Sequence, residues 1–131
     1  MQLSKFTDYA FRALIYLAKN PEDNGTVDKL ADKLNISTHH LKKVINKLAK
    51  TDYIISTKGR NGGLKLGLKP EEINLGKVLL LTEENLSLVE CMNEAGRCPL
   101  ISEECKLKGI ICKSLNSFVS EMSQYTLKDI L

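Results

Sequence analysis

The stretch TVDKLADKLNISTHHLKKVINKLAK, residues 26–50, sets two helical patterns almost back to back, with only Asn35-Ile36-Ser37 between them. Val27, Leu30 and Leu34 share one face of the first. Leu41, Val44, Ile45 and Leu48 make one stripe of the second. Ser37 stands where an N-cap is wanted, since its hydroxyl can accept from an unpaired amide of the next turn. Upstream, FTDYAFRALIYLAKN puts Phe6, Tyr9, Ala10, Ala13, Leu14 and Leu17 at helical spacing and stops near Asn20-Pro21. Three amphipathic helices with a tight turn between the last two predict a helix-turn-helix.

The next segment narrows the fold further. YIISTKGRNGGLKLGLKP reads as strand, turn, strand: β-branched residues, then GRNGG, then Leu64, Leu66 and Leu68 alternating with Lys65 and Lys69. A hairpin placed there is a wing. The expected fold class is mainly α with a small β-hairpin wing: a winged helix-turn-helix over 1–70, connecting helices and a loop over 71–101, and a long C-terminal dimerisation helix over 102–131.

The polar side of the third helix carries the first functional expectation. Thr38 opens it, His39, Lys43, Asn46 and Lys50 lie opposite the apolar stripe, and Lys42 flanks them. Such a face is often only solvated surface. After a short helix and turn, however, it is the face that enters the major groove of DNA. Lys58, Arg60 and Asn61 sit on the glycine-rich wing tip, and an arginine there suits a narrow, electronegative minor groove; an ordinary hairpin turn is the alternative.

Charge follows the same division. Residues 1–69 hold thirteen Lys and Arg against six Asp and Glu, a surplus of seven; residues 70–131 hold six against ten, a deficit of four, which together give the net +3. A basic front half suggests a polyanion partner, here double-stranded DNA. There is no apolar run long enough for a membrane span and no leader-like start. The expected setting is the cytoplasm, where grouped cysteines more often serve metal or redox chemistry than structural bridges.

All four cysteines fall in ECMNEAGRCPLISEECKLKGIICKSL at seven-residue intervals: Cys91, Cys98, Cys105 and Cys112. On one straight helix, residues seven apart share a face but stand ~10 Å apart along the axis. One small metal centre cannot gather them so, and Gly96 and Pro99 would break the backbone between the first two. A helix is expected to run from Ser102, its N-cap, to the chain end, with Cys105 in its first turn, where the helix dipole favours a thiolate. Leu107, Ile111, Leu115, Phe118 and Met122 form a stripe fit for a partner helix, hence a homodimer, or for burial within one chain. Asp8 precedes Arg12 by one turn, the spacing of an exposed ion pair.

Taken together, FTDYAFRALIYLA, STHHLKKVINKL, TKGRNGGLKLG, EEINLGKV, SLVEC and YTLKDIL resemble the winged-helix regulators of the IscR/NsrR (Rrf-two) family, and within it the nitric-oxide-sensing NsrR type. The resemblance covers essentially the whole chain. It implies a dimeric, non-enzymatic repressor that binds an operator with twofold symmetry and carries an iron–sulfur cluster, 4Fe-4S in the first instance and 2Fe-2S as the alternative. It assigns Cys91, Cys98 and Cys105 as cluster ligands, and Asp8 from the partner subunit as the fourth. The IscR type instead uses a histidine just after the third cysteine. Lys106, Leu107 and Lys108 stand there, and the chain's histidines are His39 and His40. Cys112 departs from the family pattern, so it is either a packing residue or a rival fourth ligand.

The resemblance further implies that nitric oxide is the signal and that cluster state sets DNA affinity. Rival readings are a related regulator sensing iron–sulfur status or redox through the same cluster, or a cluster-free regulator using a thiol switch or zinc. Zinc ribbons usually show close CxxC pairs, which this chain lacks. No nucleophile–base pair or phosphate loop appears, and GRNGG leads into a second strand, unlike a dinucleotide-binding turn.

Overall fold

The computed structural model describes residues 1–93, 98–100 and 105–131. Helices α1 (Lys5–Lys19), α2 (Val27–Leu34) and α3 (Thr38–Ala49) precede an antiparallel hairpin of β1 (Ile54–Thr57) and β2 (Gly63–Leu66). A 3-10 turn at Pro70–Glu72, α4 (Leu75–Thr82), a 3-10 turn at Glu90–Met92, α5 (Lys106–Met122) and a 3-10 turn at Leu127–Ile130 complete the order.

Each early helix starts where its sequence provides an acceptor. Ser4, Thr26 and Ser37 cap α1, α2 and α3, their hydroxyls accepting from the amides of Thr7, Lys29 and His40. Asn35 ends α2 in the left-handed region, φ 52°, a conformation asparagine tolerates better than most residues. That single residue turns the chain into α3. The stripe of α3 is buried as expected: Leu41, Val44 and Leu48 are fully enclosed, with Ile45 nearly so. They join Ala10, Ala13, Leu14 and Leu17 of α1, Leu30 of α2, and Ile54 and Leu64 of the hairpin in one core.

The wing is pinned at its base. Register pairs Ile54 with Leu66 and Thr57 with Gly63. The Leu64 amide donates to Gly25 O at 3.0 Å, tying β2 to the α1–α2 loop. Gly63 has φ +154°, and a Cβ there would lie 2.6 Å from the Asn24 backbone. Gly63→Ala is therefore expected to lose ~1–3 kcal/mol from strain and overpacking together. Urea unfolding checks this, and a loss below about 0.5 kcal/mol, the range of ordinary surface changes, would contradict it.

The C-terminal region departs from the expected uninterrupted helix. Its expected start at Ser102, like Gly96, lies outside the described residues. Cys105 is the N-cap of α5 in extended conformation, so it stands just before the helix and not within its first turn. The helix stops at Met122, well short of Leu131. Asn74 Nδ2 donates to Ser123 O at 2.6 Å, and Asn74 and Thr126 form an isolated antiparallel bridge. Thr126 and Asp129 then cap a fresh 3-10 turn reciprocally. The Thr126 amide and hydroxyl hold the Asp129 carboxyl below its ordinary value. Gly76 permits this approach, because a Cβ there would meet Ser123 Cα at 2.8 Å. The chain thus returns to the core, where Leu127 is fully buried.

Candidate functional site

The outward side of α3 is fully displayed. Thr38, His39, Lys42, Lys43 and Asn46 are all exposed; His39, Lys43 and Asn46 lie opposite the enclosed Leu41, Val44, Ile45 and Leu48, and Thr38 and Lys42 flank them. The rings of His39 and His40 are tilted, with centroids 5.8 Å apart, at the start of the helix. Lys58, Arg60 and Asn61 are exposed on the wing. Among the described residues none of these cations forms an ion pair, so their charge is available to an outside anion. His40, Lys47 and Lys65, none of them among the contacts expected from sequence, are exposed on the same helix and hairpin. Helical angle could have found Lys47, one turn beyond Lys43.

Asp8 lies in the first turn of α1, with its side chain 45% exposed. Its carboxylate is engaged at both oxygens by Arg12: Nε donates to Oδ1 at 3.1 Å, and Nη2 lies 2.7 Å from Oδ2. Arg12 also lies over the Tyr9 ring, 5.9 Å from its centroid. The single chain therefore realises the ion pair that the four-residue spacing suggested.

The four cysteines are free thiols, each half-buried. Cys91 sits in the 3-10 turn Glu90–Met92, Cys98 lies outside any helix, and Cys105 is the α5 N-cap. Cys112 lies inside α5 instead. Among the described residues, no three His, Cys, Asp or Glu side chains come together as a group able to hold a metal ion. The chain thus presents Cys91, Cys98 and Cys105 without gathering them. As donors they suit an iron–sulfur cluster: reduced thiols are its usual ligands, and none of these three is locked inside a long helix.

The expected stripe of α5 divides between two sides. Ile111 and Leu115 are half-buried on the helix that packs on α4, and Met122 packs on the core. Leu107 and Phe118 remain 65% and 43% exposed, beside Ile110 at 63%, which sequence reading leaves out. No residue of α5 is buried.

A family model described as Rrf2, iron-dependent transcriptional regulator, matches residues 3–131. A protein from Halalkalibacterium halodurans named HTH-type transcriptional regulator NsrR is 46% identical over 132 residues, covering 100% of this chain and 90% of its own. One of the same name from Bacillus licheniformis is 44% identical over 133 residues, with coverage of 100% and 92%. Among solved structures, T. potens IscR superposes with a TM-score of 0.78 at 21% identity, over 99% of this chain and 85% of that one. The structural likeness, at that identity, speaks for the fold.

Proposed function

The chain belongs to the Rrf2 family of transcriptional regulators, and on that premise we propose that it is a DNA-binding repressor whose operator affinity is set by a nitric-oxide-sensitive iron–sulfur cluster. The observation that carries the DNA part is the exposed basic face of α3, without an ion pair among the described residues, beside an anchored wing. Thr38, His39, Lys42, Lys43 and Asn46 are the groove-facing candidates, and Lys58, Arg60 and Asn61 extend the contact from the wing. Phosphate neutralisation by the lysines supplies most of the affinity and makes it salt-dependent.

The uncovered Leu107, Ile110 and Phe118 of α5 support a second copy as the occupant of that face. A homodimer would present two α3 helices to a twofold-symmetric operator. No helix among the described residues is long and apolar enough to cross a membrane, and we place the repressor in the cytoplasm.

Cys91, Cys98 and Cys105 would hold the cluster, with Asp8 of the partner subunit as the fourth ligand. Three thiolates and one carboxylate suit a 4Fe-4S cluster held by one protein ligand per iron, with 2Fe-2S as the alternative. When bound, the cluster supplies iron that nitric oxide attacks. Cys105, at the N-cap of α5, stands beside the first-turn backbone amides and outside the helix itself. Asp8 would tie the ligand set to the first helix of the DNA-binding unit, and Arg12, which pairs with it in the single chain, would compete for its carboxylate.

Nitric oxide titration of the anaerobic, cluster-loaded dimer on its operator tests the whole reading. A loss of about a hundredfold in affinity, ~2.7 kcal/mol, is expected as the visible absorbance bleaches. DNA that stays bound through complete bleaching would refute the switch.

A further inference from the structure

Thr7 and Thr82 are the two fully buried polar side chains among the described residues, 0% and 2% exposed. They join two helices that are distant in sequence. Ser4 Oγ donates to Thr7 Oγ1 at 3.2 Å, and Thr7 Oγ1 donates to Thr82 Oγ1 at 2.9 Å. Thr82 Oγ1 in turn donates to Val78 O at 2.8 Å. Beside this relay the Ser4 amide donates to Glu83 Oε1 at 2.7 Å.

The last bond completes a helix cap from an unusual source. In an ordinary capping box the N-cap amide is taken by the side chain three residues on. Here that residue is Thr7, whose hydroxyl is turned to α4, and the acceptor comes from Glu83, at the end of α4. The start of α1 is therefore held twice, by the Ser4 hydroxyl on the Thr7 amide and by Glu83 of the α4 end on the Ser4 amide. Asp8 makes the next bond of that turn, its amide donating to Ser4 O at 3.0 Å.

Stability alone does not account for a buried hydroxyl pair. Replacing both partners of such a bond by apolar groups of similar shape is close to neutral, whereas a satisfied buried bond fixes one relative position. An unbraced first turn frays easily, because its amides lack intrahelical acceptors. A pull on Asp8 would then be spent on fraying and never reach the body of the protein.

We infer that Ser4, Thr7, Thr82 and Glu83 form a positioning brace that carries force between Asp8 and α4, the helix that leads into the segment bearing Cys91. The inference rests on the proposed role of Asp8 as a ligand. The brace makes the first turn of α1 and the last turn of α4 move as one body when the Asp8 tie forms or breaks.

The test uses the full chain as wild type, Thr7→Val/Thr82→Val, Thr82→Ser and Asp8→Ala. In metal-free protein, hydrogen exchange at the Thr7 and Asp8 amides is expected to be about tenfold faster in the double-valine variant. Residues 41–48 of α3 should be unchanged, and Thr82→Ser should restore protection. In loaded protein, affinity is measured on a twofold-symmetric duplex selected from a random-sequence pool. The ratio before and after nitric oxide is expected to fall from about a hundredfold to under about tenfold in the double-valine variant. Added to Asp8→Ala, the same valines should lower the ratio no further. If they do lower it further, the pair is a general packing element and the inference fails. Unchanged exchange, or an unchanged ratio where Asp8→Ala lowers it, overturns the brace alone. A ratio untouched by Asp8→Ala overturns the ligand role of Asp8 and the brace with it. Should the double-valine variant not fold, Glu83→Ala, at a half-buried cap, is expected to move both readouts in the same direction, and its silence would count equally against the brace.

Discussion

Leu127→Ala is expected to destabilise the protein by ~2–5 kcal/mol and to lower its thermal midpoint by roughly 10 °C. Leu127 is 0% exposed, in the same core as Leu14 of α1 and Ile73. Its amide donates to Ile73 O at 2.8 Å, and Leu75 donates back to Tyr125 O at 3.0 Å. Truncating the side chain removes buried apolar area and opens a cavity under a segment held on both sides, which limits collapse around it. Typical domain stability is ~5–15 kcal/mol, so the loss is a large share of the whole. Ile130→Ala, three residues on at a 42% exposed position, is expected to change stability by under about 0.5 kcal/mol. Urea unfolding of the two variants decides the matter. Equal midpoints would mean that the C-terminal return does not contribute to the core.

That return is the least legible part of the chain. The spacing of Leu115, Phe118 and Met122 is helical, so periodicity carries the helix through Met122, and the five-residue step to Leu127 leaves the stripe without saying where the chain goes next. The end is fixed by the Asn74 side chain and the bare Gly76, roughly fifty residues earlier in sequence. A local signal does exist: Thr126 and Asp129 have capping-box spacing and announce a new start. The front half is readable because its information is local. Ser37 caps the helix after it, Asn35 ends the helix before it, and four-residue stripes name their buried face. The side of α5 that packs within the chain is not readable, since Leu107 and Ile111 lie only about 40° apart around a helix. Nor is the Thr7–Thr82 bond, which leaves no local pattern across 75 residues. Asp8 shows a different limit. Its i,i+4 spacing to Arg12 and its matching position in the resembled family are both real, and one chain by itself displays only the ion pair.

The cysteines separate the proposed ligands from the bystander most sharply. Cys91→Ala, Cys98→Ala and Cys105→Ala are each expected to reduce the iron content of anaerobically reconstituted protein to under about a tenth of wild type, with loss of visible absorbance. Cys112→Ala is expected to retain both and to cost at most ~1–2 kcal/mol in packing. The difference rests on backbone. Cys112 lies within the continuous helix Lys106–Met122, two turns beyond Cys105 and so ~10 Å along the axis. Bringing its sulfur to a centre shared with Cys105 requires unwinding the first half of α5 and giving up its packing on α4. Thiolate is the softer and stronger iron ligand, so Cys112 would displace Asp8 if it could reach; the rigid helix is what prevents it. Cluster loss in Cys112→Ala, in a protein that still melts cooperatively as a dimer, would show that α5 opens at its start and that Asp8 is a surface ion pair only. Cluster retention in Cys112→Ala together with weakened retention in Asp8→Ala would establish the mixed thiolate–carboxylate set.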